Sequence, residues 1–299
     1  MRLGVHVSTA GGLLEALGRA QRLGCTAMQI FSRSPRGGPA PTLDPGVLAA
    51  FHDGRLRAGI EPLAVHAPYI INLASPDAGM WKDSLRLYEE EYARTDALRA
   101  AFLVTHVGSH RGAGERAGIA RVARAVTRVL AGRSSPAMIV LENTAGSGQG
   151  LGATFEELRA ILDQVRGAAR VGICLDTAHL FAAGYPIHTA DGLEDVLDAF
   201  GRVIGFERLK LVHLNDSRVP FGARADRHWH IGRGHIGREA FGRLLTHRRL
   251  REQAFILETP KGPSPATAPV DPEDRRNLRM VRQLAGASKP SGRRMAAAG

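Results

Sequence analysis

The chain has 299 residues, of which 44% are hydrophobic but only 5% aromatic, so a core must be filled by aliphatic side chains. No segment is long and uncharged enough to span a bilayer, and Met1 leads straight into a Leu3-Gly4-Val5 strand pattern, so neither a membrane span nor a signal peptide is expected. Forty Lys and Arg against 29 Asp and Glu give a net charge of +11. Such a surface attracts polyanions. Only Lys82, Lys210, Lys261 and Lys289 are lysine, however, leaving 36 of the 40 as arginine, a bias that genomic base composition alone can produce.

Eight short Val/Ile/Leu-rich runs follow one another at 3–7, 27–31, 63–65, 102–104, 138–141, 171–175, 209–212 and 255–257. They lead into Ser8, Ser32, His66, His106, Glu142, Asp176, His213 and Glu258. Their starts are mostly about 35 to 40 residues apart, room for a loop and a helix between strands. Unbroken apolar runs mark strands covered on both faces, so the pattern predicts a parallel (β/α)8 TIM barrel, a single domain over residues 1–260. The stretch 113–130 reads as an outer helix, with Ile119, Val122, Val126 and Val129 facing the barrel and Arg116, Arg121, Arg124 and Arg128 largely solvated.

Thr259-Pro260-Lys261-Gly262-Pro263-Ser264-Pro265 opens a linker, and Asp271 is placed to cap a helix through Leu278, Val281 and Leu284. Linker and helix fill 261–287, and the small, basic segment 288–299 is expected to be disordered. Cys25 and Cys174 fall in predicted strands far apart in sequence, the pattern of reduced, buried thiols, which points to the cytoplasm.

His66, His106, Glu142, Asp176, His213 and Glu258 close strands three to eight, on the face where barrel active sites are built. A single histidine there is more often a hydrogen-bonded structural group than a ligand, but these do not stand alone. Asp176-Thr177-Ala178-His179 and Asp226-Arg227-His228 add further donors, giving five imidazoles and four carboxylates. One zinc takes about four ligands, so such a set suits three ions, zinc first, with manganese or iron as substitutes.

These residues resemble the endonuclease IV family of zinc-dependent apurinic/apyrimidinic endonucleases over roughly residues 1–260. The resemblance rests on Gly4-Val5-His6-Val7-Ser8, His66-Ala67-Pro68-Tyr69-Ile70-Ile71-Asn72-Leu73, His106-Val107-Gly108-Ser109-His110, Leu141-Glu142-Asn143-Thr144, Leu175-Asp176-Thr177-Ala178-His179, His213-Leu214-Asn215-Asp216-Ser217, Asp226-Arg227-His228 and Leu257-Glu258-Thr259. Val107, Ala178, Pro186 and Arg218 depart from the family pattern, and none of them is a ligand position.

The resemblance implies a xylose isomerase-like barrel that hydrolyses the phosphodiester 5′ to abasic sites in double-stranded DNA. Products would carry 3′-hydroxyl and 5′-deoxyribose phosphate ends, with removal of 3′-blocking groups as a second activity. It also implies a monomer associated with the nucleoid. By the same resemblance His66, His106 and Glu142 hold one zinc. Glu142 bridges to a second zinc held by Asp176, His213 and Glu258, and His179, Asp226 and His228 hold a third. Glu142 and Glu258 would be catalytic, Glu258 also as a base, and Arg36, Tyr69 and Ile70 would enter the DNA beside the lesion.

Without the resemblance, Tyr69 reads as packed over the rim, Ile70 as core and Arg36 as a solvated loop residue. Two other functions fit part of the pattern. A metal-dependent sugar isomerase or epimerase uses one or two ions and leaves His179, Asp226 and His228 unexplained. A non-catalytic abasic-DNA binder needs only the basic surface. Among the other histidines, His6 is expected to hydrogen-bond a metal ligand and His110 and His235 to reach phosphate, with His52, His188, His230 and His247 at the surface. Gly232-Arg233-Gly234 could offer backbone amides to a phosphate.

Overall fold

The computed structural model describes residues 1–287, so the expected disorder of 288–299 lies outside the described residues. The strands are β1 (Arg2–Val5), β2 (Met28–Phe31), β3 (Leu63–His66), β4 (Phe102–His106), β5 (Met138–Glu142), β6 (Val171–Asp176), β7 (Leu209–His213), a short pair β8 (Asp216–Ser217) and β9 (His228–Trp229), and β10 (Ala254–Leu257). Among the described residues eight of them form one parallel sheet in the order β1-β10-β7-β6-β5-β4-β3-β2, while β8 and β9 pair antiparallel outside it. β1 and β2 close the ring by a single bridge, His6 to Gln29, with the Val7 N–H donating to the Gln29 carbonyl at 2.8 Å. Gly4 allows this approach: a Cβ there would lie 1.8 Å from the Ala27 carbonyl oxygen.

The two-residue period of a strand sorts the side chains. Ala27, Ala64, Val104, Val140, Cys174, Leu211, Ala254 and Ile256 form a buried cluster of their own inside the ring. Two residues further along, on the same face, stand Gln29, His66, His106, Glu142, Asp176, His213 and Glu258. Alternate positions such as Val65, Leu103, Ile139, Leu141, Ile173 and Leu257 belong to the larger core between strands and helices. The barrel thus has an apolar plug and, directly above it, a polar layer.

The helices are α1 (Leu13–Arg22), α2 (Pro45–Arg57), α3 (Ala78–Ala97), α4 (Glu115–Leu130), α5 (Phe155–Gln164), α6 (Thr177–Ala183), α7 (Ala190–Val203), α8 (Arg238–Thr246) and α9 (Pro272–Ala287). Several starts are set by caps: Asp44 accepts the Val47 N–H, Asp77 that of Met80, and Thr154 with Glu157 forms a capping box. α4 buries Ile119, Val122, Val126 and Val129 as expected, while Arg124 lies over the Trp81 ring and Arg128 pairs with Glu89.

α9 is the outer helix that follows β10. Asp271 caps it, accepting the Glu273 N–H at 2.8 Å, and Leu278 and Val281 are fully buried in the main core. Truncating Leu278 to alanine would cost about 2 to 5 kcal/mol. The Arg19 guanidinium donates to the carbonyls of Thr267 and Ala268 and of Ser8 and Ala10, tying the linker to the first loop. Both cysteines are buried and free; Cys174 lies in β6, but Cys25 sits in the turn before β2 rather than in a strand. Among the described residues no helix is long and apolar enough to cross a membrane.

Candidate metal centre

β3 to β7 each end on a candidate ligand, and Glu258 is one residue past β10. Strand direction and the inward face bring these side chains to the barrel mouth, where His66, Glu142, Asp176, His179 and His213 are almost completely buried. Three sets of donor atoms lie within coordinating reach: His66, His106 and Glu142; Glu142, Asp176, His213 and Glu258; and Asp176, His179 and His228. Glu142 joins the first two sets, with Oε2 3.2 Å from His66 Nε2 and 3.3 Å from His106 Nε2, and Oε1 2.9 Å from His213 Nδ1.

Asp226 flanks the third set from the more exposed side, its Oδ1 3.2 Å from His179 Nε2 and 3.4 Å from His228 Nε2. The structure therefore brings all nine residues together. It differs from the expected grouping in that Asp176 also reaches the third set, its Oδ2 3.4 Å from His228 Nε2. The reason is local: Asp176 both ends β6 and caps α6, its Oδ1 accepting the His179 N–H at 2.8 Å, so the carboxylate stands between β7 and His179.

Four of the five imidazoles are oriented through the second nitrogen. His66 Nδ1 lies 2.7 Å from the Ala67 carbonyl, His179 Nδ1 2.9 Å from that of Asn143, and His228 Nδ1 3.2 Å from that of Glu258. An N–H donated to a carbonyl leaves Nε2 with a free lone pair aimed at the centre. His213 is reversed: its Nε2 meets Gln29 Oε1 at 2.9 Å, and Nδ1 faces Glu142 and Glu258. Gln29 also donates to Glu258 Oε1 at 2.5 Å, and Asn215 donates to Asp176 Oδ2 at 2.6 Å while accepting the Glu258 N–H at 2.7 Å. His6 Nδ1 stands 3.3 Å from Glu258 Oε1, the ligand contact expected of it.

Sequence reasoning missed Gln29, Asn143 and Asn215. For Gln29 a signal existed, an amide inside the run Met28-Gln29-Ile30-Phe31; for the asparagines it was only their position beside a strand-end ligand.

Among the described residues, the ion pairs of Glu142, Asp176 and Glu258 are with histidines, never with arginine or lysine. Burial opposes the charge of Glu142, yet His213 and His106 hold its carboxyl well below the usual range. Burial also opposes charge on His179, but Asp176, Asp226 and Glu142 raise it to about 10. His213 is raised well above its ordinary value, burial being outweighed by Cys174, Glu258 and Glu142. Buried carboxylates answered only by imidazoles, with nitrogen lone pairs converging on them, form a donor set that fits divalent cations of the zinc type.

At the mouth, a cavity of about 590 Å³ is lined by His66, Tyr69, Ile70, His106, His179 and Asp226 among others. Tyr69 is 62% exposed, and its ring meets His106 edge-on at 6.0 Å. Ile70 is 46% exposed, so it is not a core residue; a Cβ on Gly37 would lie 2.9 Å from its Cδ1, which sets the turn carrying exposed Arg36 beside it.

The amides of Gly232 and Gly234 are not open to a phosphate. Both donate to Asp216 Oδ2 at 2.9 Å, and the Ile236 and Ser217 N–H groups bond Oδ1. One buried carboxylate thus clasps the base of the segment that carries Asp226 and His228. His230 and His247 are less open than expected, held by Asn277 and Glu194, and His188 packs on Phe181 and Phe221.

Residues 17–284 match the family of xylose isomerase-like TIM barrels, which fixes the class. A D-psicose 3-epimerase shares the fold alone, at 16% identity, TM-score 0.65 and coverage of 96% of this chain and 100% of that one. The probable endonuclease 4 of Methanoculleus marisnigri is 44% identical over 289 residues, 95% of this chain and 99% of that protein. That of Halothermothrix orenii is 42% identical over 261 residues, 87% and 94% of the two chains. The crystal structure of endonuclease IV from Thermus thermophilus matches with TM-score 0.83 at 36% identity, covering 96% of this chain and 100% of that one. The chain belongs to the endonuclease IV family and is a nuclease.

Proposed function

We propose that the protein cleaves the phosphodiester 5′ to abasic sites in double-stranded DNA, leaving 3′-hydroxyl and 5′-deoxyribose phosphate ends, and also removes 3′-blocking groups. It does so as a zinc-loaded, cytoplasmic, nucleoid-associated monomer. The observation that carries this reading is the third donor set, in which Asp176, His179 and His228, flanked by Asp226, exceed what a sugar isomerase with one or two ions requires. The family relatives point the same way.

His66, His106 and Glu142 would hold one zinc, Glu142 with Asp176, His213 and Glu258 a second, and His179, His228 and Asp226 with Asp176 a third, with manganese as a substitute. Zinc so held supplies an activated water at neutral pH and positive charge for the phosphate oxygens.

The chain's own groups do the rest. Glu258 is fixed by Gln29 and His6 on one oxygen and faces His213 with the other; in this reading it would also take the proton of the attacking water. Tyr69 and Ile70 offer exposed planar and apolar surface for insertion beside the lesion, and Arg36 a cation for a flanking phosphate. Turning out a sugar that lacks its base costs the least unstacking, which is the source of selectivity.

The test is incubation of the zinc-loaded protein with an end-labelled duplex carrying one abasic site. Incision on the 5′ side, giving an end that a polymerase extends, is expected. Intact duplex together with epimerisation of a ketose would overturn the reading.

A further inference from the structure

A basic feature lies on the barrel wall, in a groove of about 440 Å³ between α1 and α9 lined by Arg22, Leu23, Arg275, Arg279, Arg282 and Gln283. It shares no residue with the cavity at the mouth. Arg275, Arg279 and Arg282 are spaced i, i+4 and i+7, so they form one stripe along α9, rising about 6 Å and then about 4.5 Å, with Arg22 of α1 across the groove. Arg282 is anchored, donating to the Leu23 and Gly24 carbonyls.

Arg22, Arg275 and Arg279 are exposed and make no ion pair among the described residues, while the nearby acids are engaged elsewhere. Asp271 caps α9, Glu273 pairs with Arg276, and Asp274 pairs with Lys261. Three guanidiniums along about 10 Å of α9, with Arg22 opposite and no compensating carboxylate, match a run of phosphates rather than a single anion.

We propose that the α1/α9 groove is a second nucleic-acid surface that holds the phosphate backbone of undamaged duplex DNA, apart from the mouth where cleavage is proposed. Its contacts read no sequence; they keep the enzyme on DNA through counterion release.

The experiment uses the full chain carrying Arg22→Ala, Arg275→Ala and Arg279→Ala together, with the triple Arg→Lys variant beside it. Binding to an undamaged duplex of about 40 base pairs is measured across a salt series. The alanine variant should flatten the slope of log K against log salt by up to about 2.7, near 0.9 for each phosphate no longer neutralised, and the lysine variant should keep most of the wild-type slope. Single-turnover nicking of a short abasic duplex at saturating enzyme should not change. A wild-type slope in the alanine variant overturns the proposal, whether the groove then proves idle or takes an acidic protein. Equal slope losses in the alanine and lysine variants overturn it too, since charge would not be the cause.

Discussion

His179 and His228 point their Nε2 atoms at one another across 3.3 Å, with Asp226 Oδ1 within 3.4 Å of both. Two facing nitrogens need a shared proton or a cation between them. Without metal the proton serves: Asp176, Asp226 and Glu142 keep His179 charged up to about 10 despite its burial.

Metal uptake should therefore release protons. A ligating imidazole must be neutral, so at pH 7 a cation entering the third set displaces the His179 proton, and one entering the second displaces that of His213. Zinc affinity should rise with pH, and titration of metal-free protein in unbuffered solution should liberate about one to two protons per chain from these two groups. Zero release at pH 7 would show that neither imidazole starts charged.

The metal-free fold should carry the opposite dependence. His179, raised above its ordinary 6.5, contributes stability that is complete below that value and is lost as pH rises through about 10. Glu142 and Glu258, lowered from 4.5, contribute stability present above 4.5 and lost as pH falls below it. Urea midpoints of the metal-free protein should peak between these limits and decline on both sides. A midpoint still climbing past pH 10 would contradict the charged His179.

Glu142→Gln should lower turnover about a thousandfold, since one carboxylate oxygen serves the first donor set and the other serves the second. Affinity for abasic duplex should change only a few-fold, because Arg36, Tyr69 and Ile70 lie at the rim. Near wild-type nicking would remove Glu142 from its bridging role.

Gln29→Leu should weaken metal retention by about 10 to 100-fold, because Gln29 orients His213 and Glu258 without itself being a ligand. Competition with a chelator reads this directly. Retention equal to wild type, in a variant of normal fold, would show that the two ligands hold their geometry unaided.

Arg36→Ala and Tyr69→Ala should fail differently. Removing a phosphate anchor at Arg36 flattens the salt dependence of abasic-duplex binding by about 0.9. Loss of the exposed Tyr69 ring should leave that slope unchanged and reduce discrimination between abasic and intact duplex. Equal, salt-independent losses would make Arg36 a wedge rather than an anchor.

The barrel mouth was legible because the third to eighth apolar runs each end on a polar residue that continues the two-residue period: Val140 points inward, so Glu142 must as well, and Leu211 implies the same for His213. Residues that act through distant partners were not legible. Gln29 meets His213 across 184 positions, and Asn215 reaches back to Asp176 and forward to Glu258. Nothing in Gly232-Arg233-Gly234 told that its amides were already taken by Asp216. The linker after Glu258 read as a boundary because proline and glycine interrupt the pattern, whereas Arg19 and the buried Leu278 make α9 part of the barrel.

The joint between β1 and β2 gives the centre a mechanical property that no ligand residue carries. A hoop fastened by ladders elsewhere is fastened here by one bridge and by the Leu3 carbonyl, which accepts the Thr26 and Ala27 N–H groups, and the bridging pair, His6 and Gln29, is also the pair that grips Glu258. Parting of the strands at this bridge would therefore slacken Glu258, and Gly4, one layer below, governs how closely the joint can shut. The rigidity of the centre can be retuned from the apolar floor of the barrel, by substitutions that never touch a donor atom.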